Sequence, residues 1–211
     1  MEKSIIIREA VTENDAAAFW KQLRLYSKQD RFPDSNDRNG KSFPDDSEYR
    51  TCAQSMDDSP QDRCWYLFFQ QDGRDIGFAL PVLYTSEDGK CFVMEYCVYP
   101  EYRGNGTDES CAGALLDWAR ENGALYAELS VGGEMQQEHV WESLGFLKNG
   151  FDEWGEPLMI LPPKDEKPFT VEILKDPTDW QLLKLENGFK KEIGEEFLTK
   201  ENQKQLQRAV K

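Results

Sequence analysis

The chain has 211 residues, with 25 lysines and arginines against 40 aspartates and glutamates, a formal net charge of −15 at pH 7. That length fits one large domain, or one domain with an appendage, and the charge argues against a nucleic-acid backbone or an anionic membrane as main partner, because both demand basic patches. Six tryptophans and twelve phenylalanines, in a chain that is 39% hydrophobic, are too many for a disordered acidic tail.

In chain order, Ile5 to Ile7 is the longest N-terminal apolar run. It is too short for a signal-peptide core, and Glu2 and Lys3 precede it, so cytoplasmic residence is expected. Ser4 to Arg8 reads as a first strand. Thr12 opens a helix with Asp15 as its capping-box partner, and Ala16, Ala17, Phe19, Trp20 and Leu23 recur at helical spacing. From Asp30 to Asp62 nine acids and Pro33, Pro44 and Pro60 mark a long polar loop, with one short helix expected near Ser47 to Met56. Arg31, Arg38, Lys41 and Arg50 offset those acids only in part, leaving an excess of five negative charges.

Cys64 to Gln70, Asp75 to Tyr84 and Lys90 to Tyr99 then read as three strands. Asp72-Gly73 and Asp88-Gly89 supply the positive φ values that tight hairpin turns require, so an antiparallel meander is expected. After Pro100 the period becomes helical: Thr107 to Asn122 is a helix closed by Gly123. Ala124 to Val131 is a strand, which completes a parallel strand-helix-strand crossover. Glu134 to Leu144 is a short helix stopped by Gly145, and strands follow near Phe146 to Phe151 and Glu156 to Leu161. The class is α/β, a mixed and mostly antiparallel sheet with helices. Residues 1–161 form the main domain and 162–168 (Pro-Pro-Lys-Asp-Glu-Lys-Pro) a linker. Residues 169–211 form a strand-helix-helix extension, a strand over Phe169 to Leu174, a capped helix with Trp180 to Phe189, and a last helix near Thr199 to Val210. Some forty residues cannot build a core alone, so the extension docks on the first domain or on a second copy as a homodimer.

The cysteines, Cys52, Cys64, Cys91, Cys97 and Cys111, are odd in number and contain no Cys-x-x-Cys pair. They read as reduced, mostly core thiols, with no metal site. One histidine, His139, permits no credible Ser-His-Asp or Cys-His arrangement and reads as a surface residue. The segment with most chemistry is Tyr99-Pro100-Glu101-Tyr102-Arg103-Gly104-Asn105-Gly106-Thr107, which joins a strand end to a helix start. Glycines there let a backbone approach a ligand, and helix N-terminal amides attract an anion such as a pyrophosphate. An ordinary tight turn has the same composition.

The meander, then Val98-x-Pro100-Glu101-Tyr102-Arg103-Gly104-x-Gly106, then helix, strand, and a helix ending Trp141-Glu142-Ser143-Leu144-Gly145-Phe146, resembles the GNAT family of N-acetyltransferases over residues 4–161. The tail resembles the opening of a second such domain. The resemblance implies acetyl-CoA as donor and an amine as acceptor, a small and cationic molecule or a basic peptide. It implies a CoA pyrophosphate held by Arg103, Gly104, Asn105, Gly106, Thr107 and Asp108, a pantetheine arm beside Cys97 and Val98, and Glu95 as general base. Glu95 reads equally as a strand residue hydrogen-bonded to a neighbour; burial would bring a carboxyl nearer a base's working range. Two departures stand out. Asp108 replaces the family's glycine or alanine, and with Glu109 puts carboxylates where a pyrophosphate arrives; one like-charge pair near ~6 Å costs roughly 3 kcal/mol at an effective dielectric of about 20. Acids in a first helical turn also satisfy orphan amides and the helix dipole. Trp141 replaces the family's tyrosine acid and reads as core or pocket wall. Both fit the alternative of a degenerate, non-catalytic GNAT module from a tandem protein that binds a ligand or partner.

Overall fold

A computed structural model describes residues 4–27, 51, 62–85, 89–131, 135–151 and 156–163, with the backbone alone for 135–137, 171–174 and 191–194. The elements are β1 (Ile6–Glu9), α1 (Glu13–Tyr26), β2 (Asp62–Cys64), β3 (Leu67–Gln71), β4 (Arg74–Tyr84), β5 (Lys90–Val98), a 3-10 turn (Pro100–Tyr102), α2 (Thr107–Glu121), β6 (Tyr126–Ser130), α3 (Met135–Ser143), β7 (Leu147–Phe151) and β8 (Pro157–Leu161). The acidic stretch from Asp30 to Gln61, with its expected helix, lies outside the described residues apart from Thr51.

The strands form one sheet in the order β1-β3-β4-β5-β6-β8-β7, with β2 also on β4. Every pairing is antiparallel except β5 with β6, which is parallel and carries α2 as its crossover. Asp72 and Gly73 sit at φ 51° and 74°, the left-handed pair that a two-residue hairpin needs. The expected capping box closes α1: the Asp15 amide donates to Thr12 Oγ1 at 3.1 Å and the Thr12 amide to Asp15 Oδ2 at 3.2 Å.

Two irregularities of β4 fall at Pro81, which has no amide to give. The single strand expected over 64–70 is broken into β2 and β3, and across the break the Trp65 amide donates to Pro81 O at 2.9 Å. On the other side the register slips, Leu80 facing Glu95 and Pro81 facing Val93, so Met94 is an extra residue in β5. Each face of the sheet carries a core. Phe19, Trp20, Leu23 and Tyr26 of α1 pack with Phe68, Phe78, Leu80, Val82 and Cys97. Cys111, Leu115 and Ala119 of α2 pack with Phe69, Ala79, Val93, Val98 and Trp141.

Val171–Leu174 (β9) and Lys191–Gly194 (β10) pair in parallel as a separate two-stranded sheet. β9 falls within the strand expected there, whereas no element was expected at β10. The two helices expected in the extension, and residues 164–168 of the linker, lie outside the described residues. Among the described residues no helix is long and apolar enough to cross a membrane.

Candidate active site

The site begins where two parallel neighbours part. The β5–β6 ladder runs from Lys90 opposite Tyr126 to Val93 opposite Leu129 and ends. On its other side β5 continues paired to β4 as far as Val98 opposite Gly77. The slip at Met94 sits at the point of parting, so the C-terminal half of β5 turns away from β6. Gly77 holds β4 tight against this half: a Cβ there would collide with the Cys97 carbonyl and crowd Phe69.

The slip also fixes which way the site residues face. Paired residues of an antiparallel ladder share a face. Glu95 faces Leu80, which belongs to the α1 core, so Glu95 lies on the α1 side of the sheet, only 4% exposed. Tyr96 faces Ala79 and lies on the α2 side. Cys97 packs on the α1 side and Val98 on the α2 side, both buried.

Beyond Val98 the chain makes the 3-10 turn and then three successive left-handed residues, Gly104 at φ 86°, Asn105 at 53° and Gly106 at 79°. A side chain on Gly104 or Gly106 would meet nothing within 4 Å among the described residues. Gly106 is the N-cap of α2 and offers no side chain to it, which leaves the first-turn amides oriented toward the turn. Thr107 closes the loop with its amide on Gly104 O at 3.0 Å. Arg103 turns back: its Nε donates to Val98 O at 2.8 Å and its Nη2 lies 3.9 Å from Cys97 Sγ. Asp108 reaches across the loop, where its Oδ2 accepts from the Gly104 amide at 3.1 Å.

Tyr96, which sequence reasoning passed over, donates its phenol to the Asp108 main-chain carbonyl at 2.6 Å. Burial, with Cys111, Asp108, Cys97 and Glu109 adding to it, pushes its pKa well above the usual phenol value, so the phenol is held as a donor. Plain alternation from Val93 would have put Tyr96 on the other face; Pro81 was the one sequence signal of the slip. Trp141 is core, 3% exposed, between Tyr96 at 5.0 Å and Phe146 at 5.2 Å between ring centroids. His139 is a surface residue, 3.5 Å from Glu142. Ser130, half-buried, ends β6 opposite Leu158. A second group unread in the sequence joins β5, β6 and β7: Asn149 Nδ2 donates to Glu128 Oε1 at 2.9 Å, and Lys90 Nζ lies 4.0 Å from Glu128 Oε2.

The glycine turn and the uncapped start of α2 thus stand beside the place where β5 parts from β6, and beyond Val93 the edge of β5 is not paired by β6. The structure brings Cys97, Val98, Arg103, Gly104, Asn105, Gly106, Thr107 and Asp108 to one end of the sheet, and Glu95 shares the α1 face of β5 with Cys97, opposite Tyr96 and Val98.

A sequence model of the acetyltransferase (GNAT) family matches residues 23–146. No curated protein matches the chain. Solved structures of similar fold include the PaiA N-acetyltransferase of Thermoplasma acidophilum in complex with coenzyme A, 17% identical with a TM-score of 0.57 over 75% of this chain and 99% of that one. An acetyltransferase from Thermus thermophilus is 16% identical with a TM-score of 0.54, over 75% of this chain and 97% of that one. YncA of Salmonella typhimurium with acetyl-CoA is 17% identical with a TM-score of 0.52, over 78% and 96%.

Proposed function

The chain belongs to the acetyltransferase (GNAT) family, and from that premise we propose that it moves an acetyl group from acetyl-CoA to the amine of a small cationic molecule or a basic peptide. The observation that carries this reading is the parting of β5 from β6 after Val93, beside a glycine turn at the uncapped start of α2. The turn leaves room at Gly104 and Gly106, and first-turn amides favour negative charge there, although the Gly104 amide is already held by Asp108. The edge of β5 near Cys97 and Val98 would carry the pantetheine arm. Relatives of the same fold were solved with coenzyme A or acetyl-CoA.

In this reading the acceptor comes from the α1 side, where Glu95 lies. The nine acids between Asp30 and Asp62 would steer a cation toward it. The amine nitrogen attacks the thioester carbonyl carbon, the C–N bond forms as the C–S bond breaks, and the amine proton passes to Glu95 directly or through one water. The thiolate is protonated by solvent, because Trp141 is buried and its indole N–H is no acid at neutral pH. Cytoplasmic residence belongs to the same reading: Cys64, Cys91, Cys97 and Cys111 are buried thiols outside any disulfide, as suits a reducing compartment.

Glu95→Gln tests the role of the base. It is expected to slow kcat about 10²-fold or more while leaving acetyl-CoA affinity unchanged, since general-base catalysis contributes on the order of 10²–10⁴. Thiol release at the wild-type rate in that variant would remove Glu95 from the chemistry.

A second reading, a non-catalytic module that binds a ligand or partner, is favoured by two observations: Trp141 packed in the core, and Asp108 on the Gly104 amide. It predicts no amine-dependent thiol release with a polyamine, an aminoglycoside or a lysine-rich peptide.

A further inference from the structure

We propose that Asp108 is the donor loop's own ligand, an intramolecular anion that holds the Gly104 amide against a pyrophosphate, so that recognition of the donor falls on its pantetheine arm. The proposal rests on the acetyl-CoA reading and adds to it which part of the donor the site selects.

The geometry is specific. The Gly104 amide, at the head of the glycine turn, donates to Asp108 Oδ2 at 3.1 Å. Asp108 is anchored through its main chain as well: its carbonyl accepts the Tyr96 phenol at 2.6 Å. The Tyr96 ring is wedged between Phe69 at 5.4 Å and Trp141 at 5.0 Å. The main chain of Asp108 is therefore tied to β5 through a half-buried ring. The loop's own cation, Arg103, is engaged with Val98 O and Cys97 Sγ. Glu109, the next residue, is exposed and adds a second negative charge to the same turn of α2.

A pyrophosphate entering this turn must displace the carboxylate from the amide or lie beside it. Displacement gives up a charge-assisted hydrogen bond, and coexistence sets like charges together. A pantetheine thioester carries no phosphate and meets neither obstacle. Wild-type chain should therefore gain little from the nucleotide half of CoA.

Calorimetry with S-acetylpantetheine and with acetyl-CoA, on wild type, Asp108→Ala and Asp108→Asn, tests this. The expected result is wild-type Kd values for the two donors within about threefold of each other. Asp108→Ala should bind acetyl-CoA at least tenfold tighter with S-acetylpantetheine unchanged. Asp108→Asn, which keeps an oxygen for the Gly104 amide but no charge, should fall between; it also serves if the alanine variant folds poorly. Recovery of acetyl-CoA binding in the variants alone would support the proposal too. Wild type binding acetyl-CoA tenfold or more tighter than S-acetylpantetheine, with no gain in either variant, would overturn it and leave the acetyl-CoA reading intact. No binding of either donor to any of the three proteins would overturn both.

Discussion

Trp141 fills the space between Tyr96 and Phe146 and is a core contact, 3% exposed. Tyr96 is thereby held against α2 with its phenol on the Asp108 carbonyl. The same packing makes the fold sensitive to alkali. Burial pushes the Cys91 thiol up to about 12, and burial with Asp108 nearby does the same to Cys111; the Tyr96 phenol is raised as well. In all three the neutral form is the one the folded state keeps. Below pH 9 the folded and unfolded chains hold these protons alike, and the groups add no pH dependence. Above about pH 9 the unfolded chain releases thiol protons that the folded chain retains, and its phenol follows from about pH 10, so stability falls as pH rises. Urea midpoints should be flat from about pH 7 to 9 and drop beyond, with Cys111→Ala lessening the drop. Midpoints that hold steady to about pH 11 would contradict this.

At the scale of elements the decisive feature is the β4–β5 ladder. Its slip at Pro81 and Met94 turns Glu95 toward α1 and Tyr96 toward α2, at the place where β5 leaves β6. Gly77 keeps the two strands close beyond the slip. Gly77→Ala would drive a methyl group into the Cys97 carbonyl; overpacking of this kind costs about 1–3 kcal/mol. The main-chain donor edge near Cys97 and Val98 would shift with it. We expect a lower melting temperature and at least tenfold weaker S-acetylpantetheine binding; an unchanged affinity would show that this edge does not carry the arm. Much of the architecture was legible because local chemistry dictates it. Thr12 with Asp15 starts α1, Asp72-Gly73 turns a hairpin, and the Gly104-x-Gly106 turn precedes α2. The slip was not legible, because one extra residue changes faces without changing composition. The direction of Arg103 and the bond from Gly104 to Asp108 were hidden for the same reason: both depend on where a loop of left-handed residues places side chains in space. The strand at Lys191–Gly194 was missed because four residues of mixed polarity give no period to read.

For the whole molecule, the charge of −15 would act in two opposed ways in the proposed reading. Nine acids between Asp30 and Asp62 would draw a cationic acceptor, whereas Asp108 and Glu109 set negative charge against a phosphorylated donor. A chain so arranged would shift the balance between donor and acceptor at the place where β5 parts from β6. Membership of the family brings the expectation of acetyl transfer. Its most direct measurement is mass spectrometry of amine products after incubating the full chain with isotope-labelled acetyl-CoA and a polyamine, an aminoglycoside or a lysine-rich peptide. Label is expected in an amide of at least one acceptor, at a rate proportional to protein concentration and reduced about 10²-fold in Glu95→Gln. Label remaining in acetyl-CoA, or appearing only as free acetate while the donor is bound, would contradict it.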